Sequence, residues 1–315
     1  MSEYVLAVFG FDRDYSSNDG SHLIDPRYIE TGLTLIGQEH LREVWYSSTP
    51  VSSGIDADVR WVSNGCLLLV SVTVNDPTSE NMHIASYQAY KRLLSVIAER
   101  DYPYIIRAWN YLADINDGEG DSERYKRFCS GRYEAFIECN HDLHQFPAAC
   151  ALGHQGGPMV IYLLASTEPP FHFENPQQVS AYHYPREYGP RAPSFARATL
   201  KFWHGCAHVY ISGTASIVGY QSLHQGDVAQ QLEVTFDNIE RLLIHIQASN
   251  SLTQLLQTLM LKVYIRNLDD YDLIKTMVER QYGSNTRTVY VEADICRQEL
   301  EVEIDGMCVI PMVVT

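Results

Sequence analysis

The sequence predicts an α+β protein that contains the same structural unit twice. Residues 59–74 and 199–214 each read as two apolar strands joined by a tight turn, at Asn64-Gly65 in the first and at His204-Gly205 in the second. A helical pattern and a further strand follow each hairpin. This repeat predicts duplicated mixed sheets, each covered on one face by its helices, with the other faces packed against one another or against another subunit.

The elements that follow the hairpins are predicted from the spacing of apolar residues. In the two helices these residues recur every three or four positions and form one apolar face. The strands are short runs rich in Val, Ile and Tyr. In chain order, the predicted elements are a helix near 81–100, strands at 104–110 and 159–166, a helix near 227–248, a strand at 261–267, a helix near 270–281 and strands at 288–293 and 300–304.

Residues 117–196 lie between the two repeats and show little periodicity. A segment of this length is uncommon inside a compact domain unless it is functional or disordered. Its Tyr and Phe content argues against disorder, so we expect it to wrap around a cleft and to carry binding groups. We place the domain boundary within it, which gives domain 1–150, with an Arg/Tyr-rich insertion, and domain 151–315.

Arginines concentrate in this part of the chain and indicate an anion site. A planar guanidinium suits bidentate binding of a carboxylate, so two or three of them could clamp a dianionic ligand. Tyr184 and Tyr188 offer phenolic donors and flat apolar walls nearby. The alternative is that the arginines only neutralise surface carboxylates. The arginines are Arg124, Arg127, Arg132, Arg186, Arg191 and Arg197.

The last predicted strand supplies a candidate acid. Val302 and Ile304 share one face of it, and Glu301 and Glu303 share the other. A carboxylate beside a sheet is ordinarily part of its solvated face. Cys296 precedes Glu303 by a few residues, so we expect a thiol and a carboxylate near the ends of neighbouring strands, within reach of an anion held by the arginines.

Composition excludes several classes of function. The net charge of −16 argues against binding to nucleic acid or to an anionic membrane, because both depend on clustered Lys and Arg. No apolar run approaches the roughly 20 residues of a membrane-spanning helix. The N-terminus has no basic region of the kind that opens a signal peptide. Seven cysteines without a CxxC pair are typical of a reducing compartment, so we expect a cytoplasmic protein.

No pattern asks for a metal or an organic cofactor. The spacing of Cys139, His141, His144 and Cys150 fits no common zinc site. A GxSxG elbow, a P-loop and a GxGxxG fingerprint are all absent from the sequence. We therefore predict neither a metal nor a cofactor.

A series of motifs, in order over most of the chain, resembles the chorismatases, the chorismate-hydrolysing enzymes of the FkbO/Hyg5/XanB2 type. The ends of the repeat also resemble the small trimeric YjgF/RidA proteins, so the resemblance implies YjgF/RidA-like (chorismate mutase-like) units. Their EIEA motif is replaced here by 303–306, with Gly for Ala. The motifs are RAWN at 107–110, DIN at 114–116, ERY at 123–125, FCSGRYEAF at 128–136, ENP at 174–176, SAY at 180–182, YGPR at 188–191, PSFAR at 193–197 and SGTASIVG at 212–219.

The resemblance implies a substrate and a mechanism. Chorismate carries two carboxylates, a ring hydroxyl and an enolpyruvyl ether, and family enzymes release pyruvate by protonating the methylene carbon of that ether. Glu303 corresponds to the family's catalytic glutamate, and an apolar site should raise its pKa so that it holds a proton near neutral pH. Arg191 and Arg197 are expected to hold carboxylates, with Arg132 and Tyr184 as further partners.

Two positions correspond to those that divide the family by product. The resemblance implies that dihydrodiol-forming members carry Ala at both positions. It implies that 3-hydroxybenzoate-forming members carry Gly at the position of Ala215 and Cys at the position of Cys296. This chain has Ala215 with Cys296, so the rule does not decide between them. Cys296 favours a hydroxybenzoate, with 3-hydroxybenzoate ahead of 4-hydroxybenzoate. The competing interpretation of Cys296 is a small buried hydrophobic side chain.

Two other classes of function stay open at this point. One is a YjgF-like binding or imine-hydrolysing module, which the Arg/Tyr-rich insertion argues against. The other is a ligand-binding protein that senses an aromatic acid with little turnover. For the chorismatase the expected partner is the small-molecule substrate, and the chain is expected to be a monomer or a homotrimer.

Overall fold

The structure is a computed structural model that describes residues 1–11, 25–38, 40–75, 78–141, 145–250, 252 and 258–312. Its strands and α-helices in those ranges are, in chain order, β1 (Val5–Gly10), β2 (Tyr28–Glu30), β3 (Thr34–Leu35), β4 (Glu43–Tyr46), β5 (Ser52–Asp56), β6 (Val59–Ser63), β7 (Leu67–Val74), α1 (Met82–Glu99), β8 (Tyr104–Ala113), α2 (Arg124–Glu138), β9 (Ala148–His154), β10 (Met159–Ser166), β11 (Phe171–Phe173), β12 (Ala198–Trp203), β13 (Cys206–Thr214), β14 (Ile217–Val218), β15 (Gln221–Ser222), α3 (Val228–Asn250), β16 (Leu259–Ile265), α4 (Tyr271–Tyr282), β17 (Arg287–Glu292), β18 (Asp294–Ile295) and β19 (Val302–Pro311).

Two seven-stranded sheets contain the same strand arrangement. The order β9-β8-β10-β7-β6 in the first sheet corresponds to β17-β16-β19-β13-β12 in the second. Each unit runs from a hairpin through a helix, a strand, a second helix and a parallel strand. Its final strand inserts antiparallel between the hairpin and the parallel pair. The duplicated α+β fold with mixed sheets is therefore confirmed.

The helices lie outside and the two sheets face each other. Tyr90 of α1 and Phe128 of α2 belong to one apolar core with the outer face of the first sheet. Helices α3 and α4 form the equivalent core with the second sheet. A third core joins the inner faces, where Tyr162 of the first sheet belongs to the same cluster as Tyr264 of the second. The sequence left open what covers the inner faces, and the structure shows that they cover one another.

Strand β10 explains why its sequence is apolar throughout. All eight of its residues are buried, because Ile161 and Leu163 point to the helices while Tyr162 and Leu164 point to the opposite sheet. A strand buried on both faces reads as a continuous apolar run instead of an alternating one. The predicted strand at 159–166 has the same bounds as β10.

Residues 117–196 contain more regular structure than the one strand predicted at 159–166, because a helix and a second strand were not predicted. Residues 124–138 form α2, and 148–154 and 159–166 form β9 and β10 of the first sheet. Helix α2 was missed because its inner face buries Arg124 and Arg132 beside Phe128, which breaks the apolar period. The boundary predicted at 150/151 falls inside β9, and the strand pairing favours a boundary after Ser166.

The predicted neighbouring strands near the C-terminus are not neighbours. Strand β16 lies between β17 and β19, and β18 leaves the second sheet to pair with β9 of the first. The last strand begins at Val302 and runs to Pro311, further than predicted. The crossover through β18 carries the loop that follows it, including Cys296, to the junction between the two units.

The N-terminal part of the chain closes one side of the sheet pair. Strands β2, β1 and β4 form a small sheet, and Phe9 and Phe11 join the core between the large sheets. Glu43 on β4 makes a 2.9 Å ion pair with the largely buried Lys262 of β16. Within the part of the chain that the structure covers, no helix is both long and apolar enough to cross a membrane.

Candidate active site

A cavity of about 260 Å³ opens at the junction of the two units. Its size is near the lower end of the range for small-molecule sites, which begins at roughly 300 Å³. Helix α2, strand β9, the segment 184–197, the end of β13 and the loop 296–299 form its walls. Six predicted site residues line it together: Arg132, Tyr184, Arg197, Ala215, Cys296 and Glu303.

Glu303 is the buried acid of this cavity. It lies on β19 with 4% of its surface exposed. Burial is the main reason that its pKa rises from 4.5 to about 8, and the Asp305 carboxylate raises it further, while Arg107 and Arg197 act in the opposite direction. The carboxyl group therefore carries its proton at neutral pH and can donate it.

Gly213 makes room for that carboxyl group. A β-carbon at this position would overlap Oε1 of Glu303 and would lie 3.1 Å from the Cys150 β-carbon. The pairing of β13 with β19 shifts its register between Ile211 and Thr214, next to this point. The absent side chain and the irregular pairing together leave the acid its space in the cavity wall.

Two predicted arginines face the same cavity, and some of their N–H groups donate to acceptors of the protein. Arg197 Nη2 donates to the Val179 carbonyl at 2.9 Å and to the Tyr184 hydroxyl at 2.7 Å. Arg132 Nη2 donates to the Ser194 carbonyl at 2.7 Å. Nε of each is buried without an acceptor among the described residues. These contacts fix both guanidinium groups and leave donors for an anion.

A third arginine, Arg297, was not singled out from the sequence. Its Nη1 donates to the Tyr220 carbonyl and to the Ser222 hydroxyl, both at 2.9 Å. Its guanidinium lies 4.0 Å above the Tyr188 ring, and its Nη2 has no acceptor within the part of the chain described. The sequence signal was weak, because Arg297 stands outside the Arg-rich segment and reaches the cavity only through the β18 crossover.

The chain is similar to several known proteins. Residues 43–165 match the family described as chorismatase FkbO/Hyg5-like, N-terminal. A 3-hydroxybenzoate synthase of Streptomyces hygroscopicus is 34% identical over 90% of this chain and 86% of its own length. A chorismatase of the same organism is 34% identical over 85% of this chain and 79% of its own.

The chain belongs to the chorismatase family.

A crystal structure of a chorismatase superposes with a TM-score of 0.87 and 32% identity, covering 98% of this chain and 93% of the other. The family predicted from the motifs, the fold class and the prediction of an enzyme are thus confirmed.

Arg191 of this chorismatase does not line the cavity. It is exposed, and its guanidinium lies 4.7 Å above the Tyr133 ring in a separate surface groove that His83 and Arg127 also line. The reason is the turn that follows the short helix Arg186–Tyr188, where Gly189 has φ +139°. Tyr188 stays on the cavity side of this turn and Arg191 leaves on the other.

Cys296 and Ala215 line the cavity beside Glu303. Burial raises the pKa of the Cys296 thiol well above its usual range, and the nearby Glu303 raises it further. The thiol is therefore neutral and shapes the cavity through its volume and not through charge. Among the described residues, no three His, Cys, Asp or Glu side chains are grouped to hold a metal ion, and His144 lies outside those residues.

Proposed function

We propose that this chorismatase converts chorismate to pyruvate and a hydroxybenzoate, with 3-hydroxybenzoate favoured. The observation that carries the proposal is the position of Glu303, a buried carboxyl with a pKa of about 8 in a cavity lined by three arginines. The similarity to a 3-hydroxybenzoate synthase supports the choice of product.

Glu303 acts as the general acid of the first step. Its proton passes to the terminal methylene carbon of the enolpyruvyl ether, which forms a C–H bond and an oxocarbenium ion. This ion weakens the bond between the ether oxygen and the ring. When that bond breaks, its electrons stay on the oxygen, which becomes the keto group of pyruvate. Proton transfer from a positioned acid of suitable pKa is worth roughly 10²- to 10⁴-fold in rate.

In the hydroxybenzoate branch the oxygen of the substrate's ring hydroxyl bonds to the ring carbon as the ether bond to that carbon breaks, and the hydroxyl proton returns to Glu303. The resulting epoxide opens at its other carbon, the carbon that keeps the oxygen loses its hydrogen as a proton, and the oxygen takes up a proton, which gives the aromatic ring. No water is consumed, because the hydroxybenzoate and pyruvate together contain all the atoms of chorismate. The dihydrodiol branch instead takes up one water molecule at the ring. Cys296 favours the first branch by occupying space that such a water would need beside the ring. Ala215 is the feature that favours the second branch, so both products are tested.

Arg132, Arg197 and Arg297 hold the two carboxylates of the substrate. Each presents a buried donor that has no acceptor among the described residues, and each is fixed by a carbonyl of its own surroundings. Guanidinium–carboxylate hydrogen bonds are among the stronger polar contacts in proteins. Tyr184 positions Arg197 through the 2.7 Å bond to its Nη2. Arg191 is replaced by Arg297 in this assignment, because Arg297 lines the cavity with Glu303 and Arg191 does not.

The test is to incubate the purified protein with chorismate, to follow pyruvate and to identify the ring product by chromatography. We expect pyruvate together with 3-hydroxybenzoate. Pyruvate with a dihydroxycyclohexadiene acid would retain the enzyme class and overturn the product. Pyruvate at the spontaneous background rate would overturn the proposal and favour a YjgF-like binding module. A cytoplasmic location and a monomeric or trimeric state remain predictions.

A further inference from the structure

A buried ion pair connects the two sheets at the strand that carries Glu303. Arg107 on β8 of the first sheet donates from Nη2 to Asp305 Oδ2 on β19 of the second, at 2.7 Å. The two side chains are only 1% and 6% exposed. Tyr264 on β16 donates to the same carboxylate oxygen at 3.1 Å. A charge pair buried this deeply gives little stability, since desolvation of both ions offsets their attraction.

We propose that Asp305 and Arg107 are positioning residues that act in opposite directions on the proton held by Glu303. Asp305 favours the protonated acid and Arg107 disfavours it. This inference rests on the proposed role of Glu303 as the acid, and it assigns a function to a pair that does not line the cavity.

The geometry places the pair where it can act. Asp305 follows Glu303 by two residues on β19, so both side chains project from the same face of the strand. On the neighbouring strand β16, Lys262 lies opposite Asp305 and Tyr264 lies opposite Glu303 in the strand register. Glu303 and Asp305 are both 4% exposed, and a second carboxylate buried on the same face disfavours ionisation of the first. Arg107 and Tyr264 both donate to the Asp305 carboxylate, so its position on this face is fixed.

The other titratable groups around Glu303 do not supply an alternative charge. Cys150 on β9, Tyr125 on α2 and Cys296 after β18 are neutral, because burial raises the pKa of each. The charges that act on the Glu303 carboxyl are Asp305 on its own strand, Arg107 on β8 and Arg197 before β12. Arg132 and Arg297 line the same cavity, and Lys262 faces Asp305 from β16. Arg197 belongs to the cavity, which leaves the Arg107–Asp305 pair as the fixed electrostatic background.

The experiment measures the pH dependence of kcat for pyruvate release, whose alkaline limb reports the acid in the enzyme–substrate complex. Asp305→Asn removes the negative charge, so Glu303 loses its proton at lower pH. We expect the limb to move down by roughly one pH unit. Arg107→Met removes the positive charge and is expected to move the limb up. The double variant contains neither charge and is expected to lie between the two single variants.

Removing one member of a buried pair can prevent folding, whereas removing both often does not. The double variant therefore keeps the inference testable if a single variant does not fold. Its alkaline limb should lie at a lower pH than that of the wild type, and the shift should be smaller than the shift for Asp305→Asn. A matched control is Lys201→Met on β12 of the second sheet, away from the cavity. The Lys201 side chain is 3% exposed and forms an ion pair with Glu168. The alkaline limb of this control should stay at the wild-type position.

The two failures can be distinguished. A wild-type protein without pyruvate release, or a Glu303→Gln variant that keeps it, would overturn the role of Glu303 and this inference with it. A second outcome is an active wild type, an inactive Glu303→Gln variant, and folded Arg107 and Asp305 variants whose alkaline limbs do not move or move in the same direction. That outcome overturns only the inference. The pair would then be purely structural.

Discussion

Oε1 of Glu303 occupies the space that a β-carbon on Gly213 would need. The acid and the glycine belong to adjacent strands, β19 and β13, that pair irregularly beside them. The backbone of Gly213 does not need a positive φ, so its function is to leave space for the acid. This close approach fixes the position of the Glu303 carboxyl group in the cavity wall.

Gly213→Ala should therefore displace the carboxyl group of Glu303. A shift of about 1 Å in a catalytic group can lower kcat on the order of 100-fold. We expect a loss of this size in pyruvate release with a small change in melting temperature. The control is the Gly213→Ala/Glu303→Gln double variant, which should be no slower than Glu303→Gln alone. A further loss in the double variant would show that the added methyl group acts on something other than the acid.

Arg297→Met should weaken chorismate binding, whereas Arg191→Met should not. Arg297 lines the cavity with an Nη2 that has no acceptor among the described residues, and Arg191 lies over Tyr133 outside it. Losing a hydrogen bond to a charged group costs about 1.5–3 kcal/mol, so KM should rise by roughly 10-fold or more. Steady-state kinetics on the two variants check this directly. A higher KM for Arg191→Met and an unchanged one for Arg297→Met would restore the assignment made from the motif.

Cys296→Ala should shift the product towards the dihydrodiol. The substitution removes a half-buried sulfur that lines the cavity with Glu303 and leaves space for a water that competes with the ring hydroxyl. Ala215→Gly is the converse change, since it makes the pair Gly/Cys, and should increase the share of 3-hydroxybenzoate. Chromatography of the ring products from chorismate measures both. If Cys296→Ala leaves the product ratio unchanged, the thiol only fills space.

The acid should give both activity and stability a pH dependence. If protonated Glu303 is the general acid, as proposed, kcat should fall as the pH rises through about 8. The same raised pKa means that the folded state holds a proton which the unfolded state loses above about 4.5. Stability from this group is therefore complete below pH 4.5 and is lost as the pH rises towards 8. Thermal melts across this range should decline less for Glu303→Gln than for the wild type, and equal slopes would contradict the assignment.

Much of the fold could be predicted from local patterns. The repeated hairpins, the long amphipathic helices and the apolar strand at 159–166 each have a strong period or an unbroken apolar run. Helix α2 could not be predicted in this way, because buried Arg124 and Arg132 interrupt its apolar face. Arg132 is buried because it lines the cavity. The site places a charged residue where helix periodicity predicts an apolar one.

The site could be predicted only in part for a related reason. Glu303, Arg132 and Arg197 stand in motifs that resemble the family, and the structure brings them together. Arg297 reaches them only because β18 pairs with β9, a contact between residues more than one hundred positions apart. Arg191 was misplaced because the direction of the chain after Gly189 depends on one backbone angle. Long-range pairing and single turns of this kind leave little trace in local sequence.

The decisive comparison is the rate of pyruvate release from chorismate by Glu303→Gln beside that of the wild type. Glutamine keeps the shape of the side chain and cannot donate the proton. We expect the rate to fall by at least roughly 10²-fold while the variant stays folded and still binds chorismate. A Glu303→Gln enzyme that releases pyruvate at a rate near that of the wild type would contradict the role of Glu303 as the acid.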